Sequence, residues 1–391
     1  MTIAMIGHKG LPARSGGIER HVESLAMGLV SRGYRVVSFG RAWYVGKTKS
    51  PKDVEQVLTQ GIHTKHLDAL THGLTALWAA RSYHPDVVHL HGVGIALLAP
   101  IARLLLPVSR LVITFHCMDR RFSKWGWFAR TAFLVGEWFA ALFAHELITV
   151  SQELAAYCAK TYGRRATYIP HAFATQPLAM PKDRREELVR AEGHAPQGYL
   201  LFVGRLLPHK GAHRLIQAYA ELQKHFPTYA AQVDLVIVGG TSFTDAYAKE
   251  VRLLAQRTPG VHMLGERHGE TLQAIQSSAL AHVFPSTEEG LSLAVLEGAY
   301  SGRPVLTHAL EANREATGGY ALEVDATSIP ALTGGLLGLL MLSEEAQIAQ
   351  GRALQGFVQR AFHARMATDR LDRLYRSVCA QEDMLVTPIV A

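Results

Sequence analysis

The segment Pro285-Ser-Thr-Glu-Glu-Gly-Leu-Ser-Leu-Ala-Val-Leu-Glu-Gly298 places two carboxylates, Glu289 and Glu297, with seven residues between them. Glu289 follows the apolar run 281–284 in a loop, and Glu297 falls inside the helix expected next. With a helix begun near Leu291, a rise of ~1.5 Å per residue puts Glu297 ~9 Å along it. The backbone N–H groups of Gly290, Leu291 and Ser292 would lie between the two acids, where a helix N-terminus favours an anion. The pattern suits an elongated ligand with hydroxyls at its ends and phosphate between. It equally suits two solvated acids stabilised by the helix dipole.

Three further segments have chemical potential. In Gly204-Arg-Leu-Leu-Pro-His-Lys-Gly211, Arg205 leaves a strand-like run and Lys210 approaches a helix. Guanidinium offers a fork to phosphate oxygens and ammonium a compact point charge; an exposed basic loop is the plainer alternative. In Gly7-His-Lys-Gly-Leu-Pro-Ala-Arg-Ser-Gly-Gly-Ile-Glu19, Gly10, Gly16 and Gly17 permit close backbone approach to a phosphate or sugar, but the dinucleotide spacing is absent. In Thr114-Phe-His-Cys-Met-Asp119, His116 stands just past a strand, where it can meet a substrate hydroxyl, and His91 has the same position after 86–90. No His, Cys or Asp spacing matches a metal motif, and neither a P-loop nor a serine elbow is present.

The elements needed to position these residues recur in one rhythm: a short β-branched run, a turn, then an amphipathic helix. Strands are expected at 3–6, 35–39, 86–90, 111–115, 146–150 and 166–169, with helices at 18–30 and 94–106. Two prolines and the charged cluster Lys182–Glu187 then interrupt the pattern. A second series runs through strands at 199–204, 234–239, 261–264, 281–284, 304–307 and 320–324, and closes with helices near 328–341, 344–360 and 365–380. Strands alternating with helices imply parallel, doubly wound α/β sheets whose ligands bind beyond the strand C-termini. The expected division is a domain at 1–175, a linker at 176–197, a second domain at 198–365, and a terminal helix at 366–391 packing back toward the first domain.

The composition agrees with a folded enzyme-sized chain. Of 391 residues, 48% are hydrophobic, which excludes a disordered chain. The net charge of +7 is modest and dispersed, compatible with phosphate or lipid but too diffuse to indicate nucleic acid. Three cysteines give no disulfide framework. The N-terminus opens into a strand without a secretory pattern, so a cytoplasmic location is expected. The longest apolar stretch, Val93 to Leu106, is too short for a bilayer span.

Taken in order, Gly16-Gly17-Ile-Glu19, Pro85-Asp-Val-Val-His89, Thr114-Phe-His116, Val150-Ser151, Ile169-Pro170, Gly204-Arg205 with Lys210-Gly211, Val238-Gly239, and Pro285-Ser286 leading to Glu289 and Glu297 resemble the family-4 retaining glycosyltransferases. That resemblance implies the GT-B fold, two Rossmann-like domains facing a central cleft. It implies that Arg205 and Lys210 hold the diphosphate of a nucleoside-diphosphate sugar, and that Glu297 binds the ribose. Glu289, Gly290 and Leu291 would contact the donor sugar or phosphate, and Gly265 to Arg267 would border the base. His116 would contact the transferred sugar, and Gly16-Gly17 would close over the donor. Metal-independent transfer of a hexosyl or deoxyhexosyl unit to a saccharide or lipid-linked saccharide is the implied reaction, with no cofactor.

The run Asp119-Arg120, Lys124-Trp-Gly126, Ala129-Arg130 and Glu137 is similar to a subgroup that includes rhamnosyltransferases of surface-polysaccharide assembly. Two positions depart from the family pattern: His171-Ala172 follows Ile-Pro where Asn-Gly is frequent, and Gly298 stands where Ala is common. A GT-B-shaped nucleotide-sugar epimerase and a non-catalytic carbohydrate-binding protein are the alternatives. The run Ile95–Leu106 with Trp125, Trp127, Phe128, Phe133, Trp138 and Phe139 reads either as an interfacial surface for peripheral membrane contact or as buried helix packing.

Overall fold

The computed structural model describes every residue except 15, 47, 65–66, 123–124, 172–179, 242–244 and 381–391. Lys124, Ala172 and residues 176–179 of the expected linker therefore lie outside the described residues. The chain divides into two units, Met1–Ala174 with Phe362–Ala391, and Thr175–Ala361.

The first unit holds a seven-stranded parallel sheet: β1 (Thr2–Ile6), β2 (Arg35–Arg41), β3 (Glu55–Thr59), β4 (Val87–His91), β5 (Arg110–Phe115), β6 (Glu146–Thr149) and β7 (Thr167–Tyr168). Their order is β3-β2-β1-β4-β5-β6-β7. The second unit holds six parallel strands: β8 (Tyr199–Val203), β9 (Asp234–Val238), β10 (Val261–Gly265), β11 (Ala281–Phe284), β12 (Val305–His308) and β13 (Leu322–Val324). Their order is β10-β9-β8-β11-β12-β13. Each sheet thus reverses its winding once, between β1 and β4 and between β8 and β11. The C-terminal strand ends at such a reversal are the usual ligand position of doubly wound sheets.

The β-branched runs form central strands because both faces are covered. Along β8, Leu200 and Phe202 face one core with Leu215, Ile216, Tyr219 and Leu336, while Tyr199 and Leu201 face another with Val189 and Ile275. Burying each such side chain contributes about 1.5–3 kcal/mol. Val189 comes from helix Lys182–Ala191, so this part of the expected linker is packed into the second unit.

Helix Ala364–Ala380 belongs to the first unit. Its Leu371, Tyr375 and Val378 share a core with Val22, Leu25 and Leu29 of helix Gly17–Val30. Arg32 and Tyr34 bond Asp369 and Asp372 across the same contact. The expected helix 94–106 is broken into a 3-10 turn at Ile95–Leu98 and a helix at Ala99–Leu105. Pro100 is the cause: with no N–H and a fixed φ it fits only in the first turn of a new helix.

Candidate functional site

In the second unit, the loops leaving β8 and β11 are neighbours because those strands are paired. They are also tied to one another. Thr287 N donates to the His209 carbonyl at 2.9 Å, and Arg214 Nη2 donates to the Pro285 carbonyl at 2.9 Å. Lys210 Nζ donates to Glu289 Oε1, with side-chain exposures of 16% and 10%. A pair this shielded is screened much less than a surface ion pair. Arg205, half-buried on the same loop, has no side-chain hydrogen bond or ion pair among the described residues. The topology therefore brings Arg205, Lys210 and Glu289 to one strand edge.

The following helix is Leu293–Tyr300, two residues later than the sequence suggests. Ser292 sets the start: its side chain accepts from Val295 N, as an N-cap does. Glu297 is therefore only ~6 Å along the helix, nearer the loop than expected. It is half-buried and accepts a long 3.4 Å bond from Gln276 Nε2. The departure at Gly298 is a packing matter. A Cβ there would stand 2.8 Å from the Phe284 ring and 3.2 Å from His282, two rings stacked at the end of β11.

Gly290 and Leu291 are buried in the β11 loop, and Gly265 closes β10 at a φ of +72°. Arg267 is not a free cation. Its Nε and Nη2 both donate to Glu192 at 2.8 Å, and the guanidinium holds that carboxyl below its usual range.

In the first unit, His116 lies just beyond β5 in a buried group of imidazoles. His116 Nδ1 is 2.9 Å from His171 Nε2, and His116 Nε2 is 3.4 Å from His91 Nδ1. His21 lies against His171 and His116, with ring centroids 4.7 and 5.7 Å apart. His89 lies 4.0 Å from His91 by centroid and bonds Tyr375 OH and Thr114 Oγ1, each at 2.6 Å. His8 extends the group to Ser38 at 2.8 Å. Burial first, and the neighbouring imidazoles second, drive His21, His91 and His116 well below the ordinary imidazole range. Burial likewise lowers His8 and His89 to about 3. Each such ring is neutral near pH 7 and offers one donor and one acceptor. Both nitrogens of His116 face other histidines, so a ligand hydroxyl would have to displace one partner, with the longer His91 contact the weaker.

Sequence reasoning singled out His116 and His91 here and missed His8, His21, His89 and His171. The overlooked signal was that His8, His91, His116 and His171 each stand at or just past the end of a strand of one sheet. His171, one of the departures from the family pattern, is a direct partner of His116.

Gly16 precedes helix Gly17–Val30 with a φ of +101°, and a Cβ there would fall 2.0 Å from Glu19 Oε2. Glu19 is buried and accepts from Lys9 N at 3.2 Å. Gly16 is thus required for the loop to fold over this acid.

Arg120 and Glu137, from the run similar to rhamnosyltransferases, bond each other at 3.2 Å. Glu137 also accepts from Tyr157 at 2.9 Å and from Tyr162. These residues anchor the inner face of helix Trp127–Phe143. Its outer face exposes Trp127, Leu134, Trp138 and Leu142, and Leu104 and Val108 are exposed as well. Among the described residues no helix is long and apolar enough to cross a membrane.

Two family models match the chain: "Glycosyltransferase Family 4" over residues 15–176 and "Glycosyl transferases group 1" over residues 197–341. The chain belongs to the glycosyltransferases of GT-B type. Its fold is similar to that of sucrose-phosphate synthase from Thermosynechococcus elongatus, with a TM-score of 0.82 and 20% identity over 97% of this chain and 99% of that one. It is also similar to Anabaena HepE in complex with UDP-glucose, with a TM-score of 0.77 and 17% identity over 96% of this chain and 100% of that one.

Among curated relatives, the O-antigen chain mannosyltransferase B of Escherichia coli is 27% identical over 40% of this chain and 41% of its own length. The D-inositol 3-phosphate glycosyltransferase of Salinispora arenicola is 32% identical over 34% of this chain and 31% of its own. The chain thus spans well under half of either. Glycogen synthase of Mycobacterium tuberculosis is 27% identical over 78% of both chains.

Proposed function

We propose that this protein transfers a hexosyl or deoxyhexosyl unit from a nucleoside-diphosphate sugar to a saccharide or lipid-linked saccharide, with retention of configuration and without a catalytic metal. The observation that carries the reading is the meeting of Arg205, Lys210 and Glu289 where the second sheet reverses its winding. In this reading the bond from the sugar carbon to the diphosphate oxygen breaks and a bond to the acceptor oxygen forms. The acceptor proton passes to the departing phosphate. Arg205 and Lys210 stabilise the negative charge gathering on that phosphate, which is worth most where the cations are already fixed in place. Lys210, held by Glu289, needs no reorganisation.

Glu297 takes the ribose hydroxyls, while Gly290 and Leu291 offer backbone donors to sugar or phosphate. Gly265 borders the base with backbone, and Arg267, engaged by Glu192, shapes that border. His116 and the Gly16-Gly17 turn supply contacts from the first unit. The complexes of HepE with UDP and with UDP-glucose support the donor class. A mannosyltransferase of O-antigen chains among the relatives supports a saccharide acceptor of the cell envelope. Of the run at 119–137 that suggests rhamnosyl specificity, Arg120 and Glu137 are engaged with each other and with Tyr157.

A panel of UDP, GDP, dTDP and ADP in thermal denaturation tests the donor class: one stabilises the chain, by about 2.7 kcal/mol at a hundredfold excess over Kd. Stabilisation by none contradicts the reading. Incubation with the nucleotide sugar alone separates transfer from epimerisation, since an epimerase needs no acceptor.

Peripheral membrane contact forms part of the same proposal. The exposed apolar face of helix Trp127–Phe143 is flanked by exposed Arg103, Arg121 and Arg130, a composition suited to an anionic lipid surface. Flotation with anionic vesicles at low salt, reduced by Trp127→Ser with Trp138→Ser, is the expected result; absence of flotation at low salt rejects the contact.

A further inference from the structure

At the opposite strand ends of the second sheet from Arg205 and Lys210, three metal-ligating side chains converge. Asp234 is the first residue of β9, His262 is the second residue of β10, and His194 lies in the turn that leads into β8. The register of three neighbouring strands makes the cluster: Tyr199 is paired with Asp234, and Val261 with Leu235. His262 Nε2 is 3.4 Å from Asp234 Oδ2, and His194 Nδ1 is 3.9 Å from the same oxygen. One ligand atom from each of the three residues lies within 4.8 Å of the others.

His194 makes this more than a surface cluster. Its side chain is only 5% exposed, yet neither ring nitrogen has a hydrogen-bond partner. A buried imidazole left in that state forfeits the free energy of its lost hydration. Asp234 and His262 are about half-exposed, which leaves a route for an ion and for water.

We propose that His194, Asp234 and His262 bind one divalent transition-metal ion of the zinc type, with water in the fourth position. Zinc takes imidazole nitrogen and carboxylate oxygen at ~2.0–2.1 Å in a tetrahedron, whose corners then stand ~3.3 Å apart. The 3.4 and 3.9 Å separations lie close to that geometry, and side-chain adjustment would draw all three ligand atoms, now within 4.8 Å of one another, onto one ion. Two imidazoles and one carboxylate favour zinc, copper or nickel over magnesium or calcium, which prefer all-oxygen shells. The ion would tie the turn before β8 to the starts of β9 and β10, a staple at the end of the sheet away from the charged loops.

The test uses the full chain, freed of metal by chelation and dialysis, with Zn2+ as the probe. Wild type is compared with Asp234→Asn and His262→Ala, both at partly exposed positions whose loss leaves the core intact. Bound zinc by equilibrium dialysis is expected to be one ion per chain greater in wild type than in either variant. Zn2+ is expected to raise Tm in wild type alone, Co2+ to give the visible bands of a four-coordinate site, and His262→Cys to retain binding. The comparison with variants separates this site from the histidines of the first unit. Equal zinc binding and equal Tm response in all three chains overturns the proposal.

Discussion

The two sheets reverse their winding at equivalent places, between β1 and β4 and between β8 and β11, and fill those places with opposite chemistry. At the second, the loops carry full charges: Lys210 against Glu289, with Arg205 beside them. At the first, the strand ends carry His8, His91 and His116, neutral because burial makes a charged imidazole too costly. In the proposed reading the charged strand ends meet the diphosphate of the donor, and the neutral imidazoles, each with one donor and one acceptor, meet hydroxyls.

Removing the charge from the second reversal should have the largest effect. Lys210→Ala is expected to lower kcat/KM by about 10²–10³-fold, the cost of losing one preorganised donor to a developing oxyanion. Steady-state kinetics checks this, and a loss of under threefold erases the contrast.

Acid tests the first reversal. A histidine whose folded pKa is lowered contributes its full stability above the unfolded value near 6.5, and that contribution is lost as pH falls toward the folded value, about 3 for His8 and His89. Each such group costs up to ~1.4 kcal/mol per pH unit. Calorimetric Tm should therefore fall steeply from pH 6.5 to 4.5, with proteolysis opening the first unit before the second. A flat Tm over that window contradicts the neutral cluster.

Smaller effects sharpen the division between packing and binding. Gly298→Ala presses on Phe284 and should cost about 1–3 kcal/mol in stability while leaving nucleotide Kd unchanged, as urea denaturation and calorimetry would report. His171→Asn removes the closer partner of His116 and should change kcat by roughly 2–10-fold, the range of one neutral hydrogen bond, with donor Kd preserved.

The strands that carry both reversals were legible because runs such as Tyr199–Val203 and Asp234–Val238 are apolar on both faces and bounded by turn residues. β3, Glu-Gln-Val-Leu-Thr, escaped notice because it is an edge strand, half-exposed and polar. The charged set could be read locally, since Glu289 and Glu297 share one segment and Arg205 and Lys210 another. Helix Leu293–Tyr300 starts beyond Leu291 because Ser292 caps it, and a serine before an apolar run is the local signal for that start. The histidine group could not be read in that way. Residues 8, 21, 89, 91, 116 and 171 are dispersed over most of one unit and meet only through strand order. The ion pair of Arg267 with Glu192 likewise joins distant segments that no spacing rule connects.

The central claim, that a nucleoside diphosphate sits where β8 and β11 part, is tested most directly through Arg205, whose side chain has no hydrogen bond or ion pair among the described residues. Titration calorimetry of the nucleotide that stabilises wild type should show binding weakened by about 10-fold or more in Arg205→Ala, the loss of one charge-assisted contact. Unchanged affinity in a folded Arg205→Ala chain would place the nucleotide elsewhere and contradict the account.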